Sequence, residues 1–230
     1  GVCQVSTTLY NAVLKAELEV TQRSNHSMIV TYVKPSMDAA IAGDYKDLKF
    51  VNNLDAPIYI EGYTAGKDIY FNIYGQETRP SNRKVTYESE VVSEEDPGTQ
   101  FVATGDAIGS ISTTQGKHMG YVARLWKIVT VDGVEQSRDA INKSTYKSSP
   151  KIVNVGTASA DPNAVAAVNA ALATGDEATI YATVAQYSGA GQTPSEAPAE
   201  APADSSAEAA AILGTVDESQ ITENTTTEGQ

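Results

Sequence analysis

The chain has one cysteine, Cys3, and two histidines, His26 and His118, in 230 residues. A lone thiol forbids an internal disulfide, so no covalent cross-link can substitute for a hydrophobic core. One Cys and two distant His give no recognisable ligand spacing, which argues against a metal site, and nothing suggests a cofactor. Long apolar runs are also missing: no stretch approaches the ~20 apolar residues of a membrane span. Basic residues stop at Lys151. Residues 1–151 carry 18 acids against all 16 Lys and Arg, a net of -2, while residues 152–230 carry 11 acids and no Lys or Arg, so the formal charge of -13 belongs mostly to the C-terminal third. Nowhere do cations cluster into the patch that phosphate backbones require, which excludes nucleic acid as a partner.

Large apolar side chains nearly vanish after Tyr187. Residues 188–230 are dominated by Pro, Ala, Glu, Ser and Thr, too little to offset the entropy of ordering, and are expected to form a disordered acidic tail. The remainder is different: with 41% apolar residues overall, the chain can build one or two real cores.

Leu9, Val13, Ala16 and Val20 recur at helical spacing, with Leu14 and Leu18 widening the stripe. This predicts an amphipathic helix over 7–20, entered from a short apolar strand and capped by Ser6 or Thr7. Met28-Ile29-Val30-Thr31-Tyr32-Val33 is a β-branched run stopped by Pro35 and reads as a strand. Residues 47–51 and 57–61 read as a hairpin. In 68–74, Ile69, Phe71 and Ile73 alternate with Tyr70, Asn72 and Tyr74, and Tyr59 and Tyr63 fall into the same register on the preceding run. Longer strands follow at 84–92 and 121–131, the second folding back through Asp132-Gly133. Glycines at 105, 109, 116, 120, 133 and 156 fit turns that need positive φ. Asp161-Pro162 starts an alanine-rich helix to about Ala173.

The expected fold class is therefore α+β: mainly antiparallel β with one N-terminal helix packed on the sheet, a β extension, a short Ala-rich helix and the tail. The expected division is 1–80, 81–157, 158–187 and 188–230.

Chemistry centres on Cys3. At the start of a helix, unpaired N–H groups and the positive pole of the macrodipole favour negative charge on a thiol. A cysteine nucleophile needs an imidazole, and the imidazole a group that fixes its tautomer. His26 follows the helix and can return beside Cys3. Asp38 is the candidate to orient it, and His118, in a glycine-flanked loop, is the lesser alternative. The backbone N–H groups of Cys3 and Gln4 with the Ser6 or Thr7 hydroxyl are candidate oxyanion donors, and the planar fork of Arg23 suits a substrate carboxylate. The competing reading makes Cys3 a small buried hydrophobe. In that case Tyr59, Tyr63, Tyr70 and Tyr74 form a contact face.

The run Gly1-Val2-Cys3-Gln4-Val5-Ser6-Thr7-Thr8-Leu9-Tyr10-Asn11-Ala12-Val13-Leu14, with Arg23-Ser24-Asn25-His26-Ser27, Asp38-Ala39, 47–53 and Pro57-Ile58-Tyr59-Ile60, resembles the VanW family of bacterial cell-envelope proteins over about residues 1–75. The region ending Ser149–Thr157 resembles the small glycine-punctuated β-domain that commonly follows VanW domains. The resemblance implies an extracytoplasmic protein of Gram-positive type acting on peptidoglycan stem peptides. Some family members are implicated as L,D-transpeptidases, with the family cysteine matching Cys3 and its histidine His26. The family usually has more sequence before the cysteine motif, so part of the catalytic domain, and a signal or anchor, are expected upstream of Gly1. Transfer, hydrolysis and a non-catalytic wall-binding or scaffolding module all remain open on the residues.

Overall fold

The computed structural model describes residues 1–189. Helix α1 spans Val2–Lys15 and is followed by β1 (Glu19–Gln22), β2 (Lys49–Val51), β3 (Tyr59–Ala65) and β4 (Asp68–Tyr74). Then come β5 (Arg83–Glu95), β6 (Thr99–Ala107), β7 (Ile111–Gln115), β8 (Gly120–Val131), β9 (Val134–Tyr146) and β10 (Lys151–Ala158), closed by α2 (Pro162–Thr174) and α3 (Glu177–Tyr187). Mainly antiparallel β with an N-terminal helix is thus the observed class. The acidic segment expected from 188 lies, beyond residue 189, outside the described residues.

The helix starts earlier and stops sooner than periodicity predicts. Cys3 is already inside it, with Gly1 as N-cap, and Ser6 and Thr7 are buried instead of capping. The reason is the face it buries. Ser6, Thr7, Tyr10, Val13 and Leu14 turn inward at steps of one, three and four, so the apolar stripe is completed by two hydroxyls that need a polar partner. Ala16 and then Glu17, at φ 56, end the helix, which frees Val20 for a strand.

Two strand expectations change. Residues 28–33 form bends and irregular chain, because no strand pairs with them and a β-branched run is stable only as part of a paired, pleated surface. Residues 49–51 pair with β1, in the register Val20↔Phe50, and not with 57–61. The hairpin is β3–β4 instead. Its two-residue loop carries Gly66 at φ 63, a conformation that costs glycine nothing, and this turn aligns Tyr59 with Tyr74 and Tyr63 with Tyr70.

Strands β5, β8 and β9 make one antiparallel sheet through the predicted Asp132-Gly133 turn. In the second three-stranded sheet, β10 runs parallel to β6 and antiparallel to β7. Of the six glycines expected to supply positive φ here, only Gly109 and Gly133 do so. Gly156 has another role: a Cβ there would sit 2.2 Å from the Ala107 carbonyl oxygen, so only glycine permits this approach.

Asp161 caps α2 by accepting from the Asn163 N–H at 2.9 Å, as predicted. Helix α3 adds to the elements that the sequence pattern predicts, and Asp176 caps it in the same way, accepting from the Thr179 N–H. Together the helices cover the second sheet, joining Val168, Ala171, Ile180 and Val184 to Val153 and Val155. A separate core holds Tyr10, Leu14, Met37 and Ala39 from the N-terminal part with Leu125 from β8.

A charged clamp reinforces that junction. Glu17 accepts from Arg83 and Lys127 and pairs with Arg79 at 3.3 Å. The Arg83 hydrogen bonds, outweighing partial burial and aided by Lys127 and Arg79, hold its carboxyl at about 2. Because this lies below the ordinary value of 4.5, Glu17 adds stability above that pH and loses it as pH falls toward 2. A Tm titration should therefore drop through this window, and Glu17→Gln should lower Tm at pH 7 while flattening the drop. An unchanged acid limb in the variant would remove the clamp from the stability account.

Candidate functional site

The site is built where the buried face of α1 meets residues 36–42. Ser6 Oγ donates to the Cys3 carbonyl at 3.1 Å and contacts the Ala39 carbonyl oxygen. Thr7 Oγ1 accepts from the Ala39 N–H at 3.0 Å. Asn11 Nδ2 donates to the carbonyls of Thr7 and Met37. These contacts hold an otherwise irregular segment against the helix and leave Cys3 half-buried, its Sγ 3.6 Å from the Ile41 carbonyl oxygen. Ser6 and Thr7 are therefore committed to backbone of the 36–42 segment, whereas Gln4 is exposed.

The same segment delivers Asp38, whose side chain is fully buried. Its Oδ2 accepts from both the backbone N–H and Nδ1 of His26, each at 2.7 Å. Its Oδ1 accepts from Arg23 Nη2 at 2.8 Å and from the Tyr146 hydroxyl at 2.5 Å. Burial pushes this carboxyl up, but the Tyr146, His26 and Arg23 contacts outweigh it and hold it below the usual carboxylate range. An ionised carboxylate only accepts, so the His26 proton facing it sits on Nδ1. In the neutral ring Nε2 is then the free lone pair, and it faces the Tyr32 hydroxyl at 3.4 Å, with the two rings edge to face.

Tyr32 is half-buried beside the imidazole. Burial raises its pKa; the Thr7 side chain opposes this, and Cys3 and Asp38 contribute in the same direction as burial. The geometry thus assembles a chain from Asp38 through His26 to Tyr32, while the Cys3 sulfur contacts the Ile41 carbonyl three residues beyond Asp38.

Arg23, expected as a fork for a substrate carboxylate, is turned inward. Its side chain is 7% exposed, Nε donates to the Asp38 carbonyl at 2.6 Å, Nη1 to Ser144 Oγ at 2.8 Å, and the guanidinium lies over the Tyr10 ring. With these donors engaged internally, it supports Asp38. His118 is exposed and bridges to Ser149 in the β region. Among the described residues no group of three or more His, Cys, Asp or Glu side chains could hold a metal ion.

Sequence reasoning missed Tyr32, Ser144 and Tyr146. Tyr32 falls in a run whose β-branched residues predict a strand, and Ser144 and Tyr146 lie more than 100 residues from their partners, a separation that no local pattern encodes.

A cleft of about 1440 Å³ opens between α1 and the β3–β4 hairpin, lined by Gln4, Thr7, Thr8, Tyr32, Tyr70 and Tyr74 among others. On the exposed face of the hairpin Tyr63 stacks on Tyr70 with centroids 5.1 Å apart, and Tyr59 on Tyr74 at 6.1 Å. No helix among the described residues is long and apolar enough to cross a membrane.

Comparison with known proteins places residues 1–74 with the family described as VanW like protein and residues 77–158 with the G5 domain family. The Bacillus subtilis (strain 168) protein YoaR is 38% identical over 77 residues, which is 34% of this chain and 25% of YoaR. The chain therefore spans about a quarter of that relative's length. The solved G5 domain of an IgA1 protease is 26% identical, covering 34% of this chain and 94% of its own, with a TM-score of 0.25. A second crystallised G5 domain is 20% identical over 32% of this chain and 99% of its own, with a TM-score of 0.18.

Asp38→Ala should destabilise the protein by about 3–5 kcal/mol, because it leaves the Arg23 charge buried without its partner. Denaturant titration checks this. A loss under about 1 kcal/mol, the range of an exposed ion pair, would show that the pair is solvated.

Proposed function

We propose that this chain, which carries a VanW domain at residues 1–74 followed by a G5 domain at 77–158, belongs to an extracytoplasmic, cell-wall-associated protein and serves there as a peptidoglycan-binding module. The pairing of these two families supports the cellular setting. The observation that carries the binding role is the exposed tyrosine face. Tyr59, Tyr63, Tyr70 and Tyr74 are 66%, 45%, 41% and 52% exposed, yet the four rings are already stacked in cross-strand pairs. Rings held in this way lose little freedom on binding, and their apolar faces suit the C–H faces of sugar rings. Pull-down on insoluble, protein-free peptidoglycan tests it: Tyr63→Ala with Tyr70→Ala should weaken retention about tenfold, the scale of two lost aromatic contacts. Undiminished retention would contradict the binding role of this face.

A second reading, cysteine-dependent acyl transfer on stem peptides, is favoured by one observation, the oriented Asp38–His26 pair in the part of the chain that also carries the half-buried Cys3 thiol. In this reading His26 Nε2 takes the Cys3 proton and the sulfur attacks the carbonyl carbon of a donor peptide bond. The C–N bond breaks, the proton passes to the departing amine, and a thioester remains. An acceptor amine then attacks, returns its proton through His26 and releases the thiol. Mass spectrometry of the protein incubated with muropeptides should show an acyl adduct on Cys3 that Cys3→Ala abolishes. No adduct under conditions where iodoacetamide modifies the thiol would reject transfer and leave the binding module.

A further inference from the structure

The carboxylate at the centre of the site is held by both parts of the chain. Asp38, His26 and Arg23 come from the VanW domain, but the hydroxyl on Asp38 Oδ1 belongs to Tyr146, and the hydroxyl that fixes the Arg23 fork belongs to Ser144. Both residues are on β9, two positions apart and on one face of the strand, and they are 2% and 1% exposed. Tyr146 also accepts from the Ser36 N–H at 2.8 Å, so one phenol fixes the side chain of Asp38 and the backbone that leads to it.

We infer that Tyr146 is a positioning residue for His26, supplied by the G5 domain, so that this domain is a structural component of the thiol site and not a separate appendage. Each oxygen of Asp38 takes two donors, and four donors in fixed places define the carboxylate plane. That plane sets the orientation of the imidazole through Nδ1. Without the Tyr146 hydroxyl, Oδ1 keeps only Arg23, the carboxylate plane is held by three donors in place of four, and the Ser36 amide loses its acceptor. The inference deepens the acyl-transfer reading and rests on it for its biological meaning, but its geometry is measurable without any turnover.

The test is NMR of the full chain labelled with ¹⁵N-histidine, with His118→Gln used to assign the two rings. Tyr146→Phe should make the His26 Nδ1 proton exchange with solvent about tenfold faster, the scale of weakening one hydrogen bond to a charged group. Tyr87→Phe is the control, since its hydroxyl donates to the Leu14 carbonyl across the same junction without touching Asp38. It should lower Tm and leave the proton unchanged. An unaltered proton in Tyr146→Phe, or equal acceleration in both variants, would overturn the inference. If Tyr146→Phe does not fold in dilute buffer, it is measured beside the parent chain in the same stabilising osmolyte, with faster exchange expected and no change overturning the claim. A shifted His26 proton with no acyl adduct on Cys3 would instead defeat only the acyl-transfer reading.

Discussion

A single buried carboxylate organises the N-terminal half of this protein. Removing an ion from water is costly, and Asp38 is tolerated because four donors surround it: an arginine, an imidazole, a main-chain amide and a phenol. Each donor is contributed by a different stretch of chain or fixes one. Arg23 and His26 locate the segment after β1, and the Asp38 backbone itself sits in the 36–42 segment pinned to α1 by Ser6, Thr7 and Asn11. The phenol comes from β9. The irregular stretches of the first domain are therefore ordered by satisfying one charge, while its regular elements are few and short.

The junction between the domains follows the same logic at larger scale. Leu125 of β8 enters the core of Tyr10, Leu14, Met37 and Ala39, so the helix buries its stripe against the second domain as well as its own. Around that apolar contact lie directional ones: Asn142 to the Tyr10 hydroxyl, Ser89 to the Pro35 carbonyl, and the Glu17 clamp with Arg79, Arg83 and Lys127. Apolar burial supplies the attraction, and these bonds fix the angle at which the two parts meet. By contrast, the second core under α2 and α3 is almost wholly aliphatic and independent of the site.

Much of this was legible in the sequence where the signal is local. Alternation in 68–74 placed Ile69, Phe71 and Ile73 opposite the tyrosines, Asp132-Gly133 marked a hairpin, and Asp161-Pro162 marked a helix start. The run through Cys3 and the Arg23–His26 stretch carried the family resemblance. Local signals failed where a distant partner decides. The strand at 49–51 pairs with β1 and not with its sequence neighbour, residues 28–33 find no strand at all, and Ser6 and Thr7, good caps by residue type, are drawn inward by the Ala39 backbone. The same limit applies to the site. Cys3, His26 and Asp38 stand out by chemistry, whereas Arg23 looked like a substrate fork until Asp38 and Ser144 were seen to occupy it, and nothing near residue 146 signals a partner at residue 38.

If one carboxylate joins the two domains, they must lose their structure together. Trp126, the sole tryptophan, lies on β8 and reports the second domain by fluorescence, while the alkylation rate of Cys3, the sole thiol, reports the first. Followed side by side in urea, the two probes should give one coincident transition with the same midpoint and slope. Exposure of Cys3 at a clearly lower urea concentration than the change at Trp126 would show that the first domain unfolds on its own, and would contradict the account.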